Sequence, residues 1–391
     1  MMKLVYVDNN ATTQVDASVL EEMLPYFREY YGNPSSLHTF GRQVAGKIDI
    51  SRERVADLLG ASASEIVFTS CGTESNNNAI HSSLEANPQK KHVVITKVEH
   101  PAVLNLCRYF GKNGYEVTEL RVDENGMLDQ NELRESIREN TAIVSIMFAN
   151  NETGIIFPIE EIGKIVKEKG VLFHCDAVQA IGKIPINLRN SYIDLLSLSG
   201  HKLHASKGIG VLYIRKGVRV NPLIIGGHQE SNRRSGTENV PAIIGLGKAC
   251  ELAKESLEDY QKRVKGLRDT LEHGIKASIS NVKINGEKSS RLPNTSNIAF
   301  EYVEGEAILL LLDMAGIAAS SGSACTTGST EPSHVLQAMG APPSQSRGAI
   351  RFSLSRYNSD DEIRYILEKL PPIIKKLQDL SPVFEDSQLS T

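Results

Sequence analysis

Two rhythms of apolar and polar positions run along this chain. Short apolar runs bounded by turn residues recur at Glu65–Thr69, His92–Lys97, Glu116–Val122, Ala142–Phe148, Val171–Cys175, Ile193–Leu198 and Ile209–Arg215, and each predicts a strand. Helix-length segments separate most of them, at Glu74–Leu84, Pro101–Lys112, Gln130–Arg138 and Ile159–Lys169. Strands that alternate with helices predict βαβ units, hence an α/β fold around one mostly parallel, seven-stranded sheet covered on both faces. Upstream, Ala17–Tyr31 and His38–Leu59 read as helices divided by the turn Gly32-Asn33-Pro34.

The rhythm changes after the seventh run. From Pro241 to about His273 the pattern is helical for long enough to bridge two domains. Beyond it, Asn297–Tyr302, Gly316–Ala319 and Gly348–Leu354 predict a second, smaller sheet, accompanied by helices at Glu304–Leu312 and Ser333–Met339. Ser359–Leu377 carries the stripe Ile363, Ile366, Leu367, Leu370, Ile374 and Leu377 at helical spacing. Pro371-Pro372 is expected to kink or end that helix, because proline removes a hydrogen bond and clashes one turn back.

Composition narrows the function classes. A chain of 391 residues can bury a sizeable core without disulfide or metal staples. Its 43 basic and 47 acidic residues give a net charge of −4, which argues against a dedicated nucleic-acid binder. The five cysteines, at 71, 107, 175, 250 and 325, form no C-x-x-C pair and fit neither a disulfide framework nor a zinc site. The N-terminal apolar run is too short for a signal peptide, and the most apolar patch, Ala307–Leu312, stops at Asp313, far short of the roughly 20 residues of a membrane span. A reducing cytoplasm and no membrane anchor are therefore expected.

Ligands of open α/β sheets bind beyond the carboxyl ends of the strands, so candidate chemistry belongs at the strand ends. The first ends in Thr69–Asn77, a small-residue turn opening a helix; it serves either as an anion site, with Thr73 adding a hydroxyl, or as a plain capping box around Thr73. The second ends at Glu99-His100, where an imidazole can stack on a flat ring, shuttle protons or cap a helix. The fourth ends at Asn150-Asn151-Glu152, whose amides can fix a ligand oxygen or make a turn. Asp176, after the apolar run Val171-Leu172-Phe173, is expected to be half buried, and a buried carboxylate needs a cation: a basic side chain, or a protonated pyridine nitrogen.

The sixth strand delivers Ser199-Gly200-His201-Lys202. A lysine at a strand mouth either reaches for solvent or, desolvated, forms a Schiff base. His201 and His204 lie three apart, but no acidic or cysteine ligand stands at a supporting spacing, so no metal site is expected there. Arg233–Asn239 forms a basic loop suited to phosphate or carboxylate, or simply solvated. In Ser320–Thr330 every residue but Ala324 and Cys325 is Ser, Gly or Thr. A thiol in such a stretch is expected to be exposed and reactive, a nucleophile or sulfur carrier rather than a packing group.

Taken in order, Asp8–Thr13, Thr69–Asn77, Glu99-His100, Asn150–Glu152, Asp176–Gln179, Ser199–Lys202, Arg234–Thr237 and Ser320–Cys325 resemble the cysteine desulfurases, most closely the NifS/IscS group. The resemblance implies a type I, aspartate-aminotransferase-like fold working as a homodimer, with a large domain over residues 15–260. The small domain would comprise 1–14 and 261–391 and carry the cysteine loop. It implies that Lys202 binds pyridoxal 5′-phosphate covalently and Asp176 holds the pyridine nitrogen. Gln179 would contact the ring oxygen and His100 stack on the ring. Gly72, Thr73, Ser199 and His201 would hold the phosphate, with Thr237 reaching over from the other subunit. Asn151 would contribute to the cofactor site and, with Arg351, bind the substrate carboxylate. L-cysteine would yield alanine, leaving a persulfide on Cys325 for an iron–sulfur scaffold of the IscU/NifU type or another acceptor. Cys325 as a transient iron–sulfur ligand is the only metal contact implied. The chain departs from the group at Ala205-Ser206, where Gly-Pro is common.

Three rivals keep part of this pattern. A selenocysteine lyase or aminotransferase of the same fold shares the lysine and aspartate without needing this cysteine loop. A non-catalytic sulfur carrier would keep Cys325 alone. A cysteine hydrolase would need His and Asn or Asp placed to activate Cys325, and would leave Lys202 unexplained.

Overall fold

The computed structural model describes residues 4–321 and 332–381. Its strands are β1 (Val5–Tyr6), β2 (Ile66–Thr69), β3 (His92–Thr96), β4 (Glu116–Leu120), β5 (Thr141–Ser145), β6 (Leu172–Asp176), β7 (Leu195–Ser199), β8 (Gly210–Ile214), β9 (Val282–Ile284), β10 (Thr295–Phe300), β11 (Ile317–Ala318) and β12 (Ala349–Ser353). Seven form the main sheet in the order β2-β8-β7-β6-β5-β3-β4. All its pairings are parallel except those of β8, which runs antiparallel to both β2 and β7. That exception has a local cause: only a short connection joins β7 to β8, and parallel neighbours need a long crossover.

Successive residues of the central strands point to opposite faces, and both faces are dry. Val94, Val144 and Leu196 enter one core with Val44, Ile48, Val55, Ile162 and Ile243. Their neighbours Val93, Ile95, Ile143 and Leu195 enter another with Ile80, Leu84 and Leu104. Helices cover the sheet: α1 (Ala17–Met23), α2 (Pro25–Arg28), α3 (Thr39–Leu59), α4 (Gly72–Glu85), α5 (Pro101–Lys112), α6 (Gln130–Ser136) and α7 (Ile159–Glu168). The segment expected as one helix over Ala17–Tyr31 is thus two, because Leu24-Pro25 restarts the turn and the chain leaves it after Arg28.

A separate core contains Val5, Val7, Leu267, Leu271, Phe300, Phe352, Ile363, Ile366, Leu370 and Ile374. There β12-β10-β9 form an antiparallel sheet. The run expected as its third strand, Gly316–Ala319, instead pairs as β11 with β1 in a two-stranded parallel sheet, and β9 takes the vacant edge. The bridging helix is also interrupted: Val240–Glu255 is followed by Leu257–Asp259, a π-helical turn at Tyr260–Val264, and Lys265–Ser278. The last helix spans Asp360–Asp379 with Pro371 and Pro372 inside it, so the prolines do not end it. Buried Ile366, Leu370 and Ile374 straddle the prolines on one face, so packing holds the helix where its own hydrogen bonds are missing.

Candidate active site

The carboxyl ends of β6 and β7, the turn before α4 and the N-terminal segment after β1 enclose a cavity of about 370 Å³. Of the residues singled out in the sequence, Gly72, Thr73, His100, Asn151, Asp176, Gln179, Ser199, His201, Lys202 and Arg351 all line it. Thr237 does not; it is exposed on its loop. Cys325 lies outside the described residues.

One wall is the N-terminus of α4. Its cap is Cys71, whose Sγ accepts from the Glu74 N–H at 3.5 Å, rather than the expected Thr73. Thr73 is thereby left inside the first helical turn, where backbone N–H groups have no partner within the helix. A Cβ at Gly72 would stand 2.9 Å from Val178 Cγ2 and 3.3 Å from Ser199 Cβ, so only glycine brings this turn so close to the end of β7. The helix dipole, these N–H groups and the Ser199 hydroxyl make a cradle for an anion. Glu74 and Arg234 pair at 2.9 Å beside it, so of the phosphate or carboxylate this basic loop was expected to suit, Arg234 meets a carboxylate.

Asp176 ends β6 and is 5 % exposed. Its carboxylate accepts from Asn76 Nδ2 at 2.7 Å and from the Val178 N–H at 3.0 Å. No basic side chain pairs with it among the described residues, so of its two expected partners the carboxylate fits the protonated ring nitrogen. His100 caps α5: Nδ1 accepts from the Ala102 N–H at 3.1 Å, which puts the ring proton on Nε2. Burial holds its pKa below the usual range, helped by Lys202 and His334 and opposed by Asp176, so a neutral flat ring faces the cavity. Capping and stacking are compatible here.

Lys202 sits in the short 3₁₀ turn after β7, its Nζ donating to the carbonyls of Asn10 at 2.5 Å and Ala11 at 2.7 Å. The His201 Nδ1 meets Thr12 Oγ1 at 3.1 Å, and burial, with Lys202 and Lys207, pushes its pKa down to about 4. His204 turns elsewhere, to the Gln14 carbonyl at 3.0 Å, so the two imidazoles do not converge. Gln179 Nε2 donates to the Asn10 carbonyl at 3.0 Å.

At the opposite end Arg351, on β12, is 3 % exposed. It donates from Nη2 to Asp8 Oδ1 at 2.8 Å and from Nη1 to the Asn151 carbonyl at 3.0 Å, while its Nε is buried with no partner among the described residues. An orphaned guanidinium N–H beside a polar cavity suits a carboxylate. Asn150 serves the turn instead, its Oδ1 accepting from the N–H groups of Glu152 at 2.9 Å and Thr153 at 3.0 Å.

Sequence reasoning gave no site role to five contributors, Asn10, Asn76, Lys183, Ser333 and His334. Asn76 lies 100 positions from the aspartate it directs. Asn10 joins Lys202, Gln179 and Lys183. The buried pair Ser333–Glu152 and the His334 Nε2 contact to the Glu99 carbonyl, at 3.1 Å, fasten residues 333 and 334 beside the cavity. Only Lys183 had a readable signal, four residues after Gln179.

The residues present fit pyridoxal phosphate: an anion cradle, a buried carboxylate lacking a cation, an amine and a flat neutral ring meet in one cavity. Comparison with known proteins agrees. Residues 5–366 match the family described as Aminotransferase class-V. Cysteine desulfurase 2 of Trichormus variabilis is 58 % identical over 385 residues, 98 % of this chain and 96 % of the relative. Cysteine desulfurase NifS of Azotobacter vinelandii is 55 % identical over 379 residues, 97 % and 94 % of the two chains. A solved NifS-like protein superposes with a TM-score of 0.90 at 42 % identity, covering 96 % of this chain and 100 % of its own. SspA, solved in complex with cysteine, superposes at 0.81 with 36 % identity, covering 91 % and 100 %.

Proposed function

The chain belongs to the aminotransferase class-V family and is a pyridoxal-phosphate-dependent cysteine desulfurase of the NifS type, and from that premise we propose how its own residues divide the work. When bound, pyridoxal phosphate supplies an electron sink that makes the carbon–sulfur bond of L-cysteine breakable. Everything else falls to the chain.

Lys202 would anchor the cofactor through its amine, and its Nζ, when free of that bond, would hold and move a proton beside the substrate. Asp176, directed by Asn76, keeps the proton on the ring nitrogen. Gly72, Thr73, Ser199 and His201 hold the phosphate. His201 does so as a neutral imidazole near pH 7, because its pKa is pushed down to about 4. His100 covers the ring face, and Gln179 donates to the ring oxygen. Arg351 and Asn151 orient the substrate carboxylate. The thiolate of Cys325 then takes the sulfur: an S–S bond forms as the substrate C–S bond breaks, leaving alanine and a persulfide. Ser320, which exchanges backbone hydrogen bonds with Arg351 at 2.7 and 3.3 Å, and Ser333–His334 tether the chain on either side of Cys325 to the cavity rim, which supports this role.

The observation that carries the reading is Asp176, a buried carboxylate lining the cavity with amide partners and no cationic side chain among the described residues. Release of alanine from L-cysteine, compared with L-selenocysteine and ordinary amino acids, tests it: preference for L-cysteine supports the desulfurase, and turnover confined to selenocysteine supports the lyase.

We further propose a homodimer, in which Thr237 reaches the partner's phosphate. Exposed Phe27, Tyr31 and Leu37, with Ile225 near the Thr237 loop, offer apolar surface for a second copy. The persulfide is handed to an iron–sulfur scaffold of the IscU/NifU type in the cytoplasm, where Cys325 serves as a transient ligand. Among the described residues no helix is long and apolar enough to cross a membrane.

A further inference from the structure

Lys183 is 4 % exposed and lies behind the cavity wall. Its Nζ donates to Gln179 Oε1 at 2.8 Å and to Asn10 Oδ1 at 3.1 Å, and it forms no ion pair with a carboxylate among the described residues. Burying an amine without an acid is costly, so the position calls for a reason. Burial, with Lys202 and Arg351 close by, pushes its pKa well below the usual lysine range.

A carboxamide has one accepting and one donating end, and a partner that can only donate selects the first. The polarity of this network is set from its far side. Asn10 commits its Nδ2 to Thr295 Oγ1 at 2.8 Å and the Asn151 carbonyl at 3.1 Å, so Oδ1 is the atom it turns to Lys183. Asn294 Nδ2 also donates to that Oδ1, at 3.0 Å. On its other side Lys183 donates to Gln179 Oε1 at 2.8 Å, which holds the Gln179 NH₂ at the end next to the Asn10 carbonyl, an atom that can only accept. One N–H of that NH₂ reaches the Asn10 carbonyl at 3.0 Å, the group meets no other acceptor among the described residues, and Gln179 lines the cavity. An amide turned over would present its carbonyl instead, and an acceptor repels an anionic oxygen.

We propose that Lys183 is a positioning residue, which locks the Gln179 amide so that its N–H, and not its carbonyl, faces the ring oxygen of bound pyridoxal phosphate. The inference rests on Gln179 being the ring-oxygen contact. A donor at that oxygen favours its anionic form and so lowers the pH at which the cofactor's visible absorbance titrates. The charged and titratable groups around the network are Lys202, Arg351 with its partner Asp8, Asp176, His201 and His204, together with Tyr260 and Arg356, which line the space on the far side of Lys183. None of them is altered in the test.

The test is a pH titration of the visible absorbance band in purified holoenzymes. Lys183→Met is expected to raise the midpoint by about one pH unit, the size of effect one hydrogen bond to an ionised group has on a pKa. Lys183→Gln, shorter by one bond and so unable to reach Gln179, is expected to do the same and covers the case in which methionine does not fold. Gln179→Leu alone should also raise the midpoint, and adding Lys183→Met to it should produce no further shift. An unshifted midpoint in Gln179→Leu would overturn the ring-oxygen assignment. A shift in Gln179→Leu with none in the folded Lys183 variants would overturn the positioning role alone. Additive shifts in the double variant would also overturn it, by showing that Lys183 acts through its charge.

Discussion

Asn76 Nδ2 lies 2.7 Å from Asp176 Oδ2, and this amide, from the second turn of α4, is the only side chain that hydrogen-bonds the aspartate among the described residues. A neutral donor leaves the carboxylate its charge while fixing where its second oxygen points. Asp176→Asn is expected to lower kcat/KM by roughly 10²- to 10³-fold, the usual cost of removing a preorganised charge from a reacting centre. Asn76→Leu, which keeps the charge but frees its orientation, should cost about tenfold, in line with one hydrogen bond to an ionised group. Steady-state kinetics on both variants checks the order; equal losses would mean that orientation matters as much as charge.

Lys202→Ala is expected to fold and to bind pyridoxal phosphate reversibly. It should lose turnover and the visible absorbance of the covalently held cofactor. The side chain donates to the carbonyls of Asn10 and Ala11, so its removal strands no buried donor. Spectra recorded before and after dialysis separate this outcome from simple loss of the fold.

Arg351→Leu should raise KM for L-cysteine by about 10²-fold with a smaller change in kcat, as expected for a charged group that binds the substrate carboxylate in ground and transition states alike. Arg351→Lys keeps the charge without the planar fork and should recover only part of the loss. Thermal unfolding must accompany the kinetics, because either change disturbs the 2.8 Å pair with Asp8.

Glu99 gives a pH prediction. Burial pushes its carboxyl up to about 8 against hydrogen bonds from Thr96 and the Met147 N–H, and Asp176 adds to the rise. The folded protein thus holds a proton that the unfolded chain releases near the ordinary value of 4.5. Below that pH its contribution to stability is fully present; it is lost progressively as pH rises towards about 8. Glu99→Gln, which keeps the acceptor for both donors, should flatten stability over this window and exceed the parent at pH 8 by on the order of a few kcal/mol. Denaturant unfolding at pH 5, 6.5 and 8 measures it.

Much of this architecture was legible because it follows from local pattern. The runs around Val93, Val144 and Leu196 are apolar on both faces, as strands of a mostly parallel sheet covered on both sides must be. The end of each run then placed His100, Asp176 and Lys202 at one sheet edge without any knowledge of their contacts. What stayed hidden depends on partners distant in sequence. Cys71 displaced Thr73 as the cap through a contact no propensity describes. β11 left the small sheet because β1, more than 300 residues earlier, was there to pair with it. The helix through Pro371 and Pro372 survives on the burial of Leu370 and Ile374. Asn76 and Lys183 are polar residues of ordinary appearance until the fold sets them against Asp176 and Gln179.

The central claim is a division of labour in which Lys202 and its cavity prepare the sulfur to leave and Cys325 receives it. Mass spectrometry of the alkylated protein after brief exposure to L-cysteine tests it most directly. The account predicts the mass of one additional sulfur on the peptide that contains Cys325, and none in Lys202→Ala. Alanine formation with the extra sulfur on Cys71 or Cys107, or with no protein-bound sulfur at all, would contradict it.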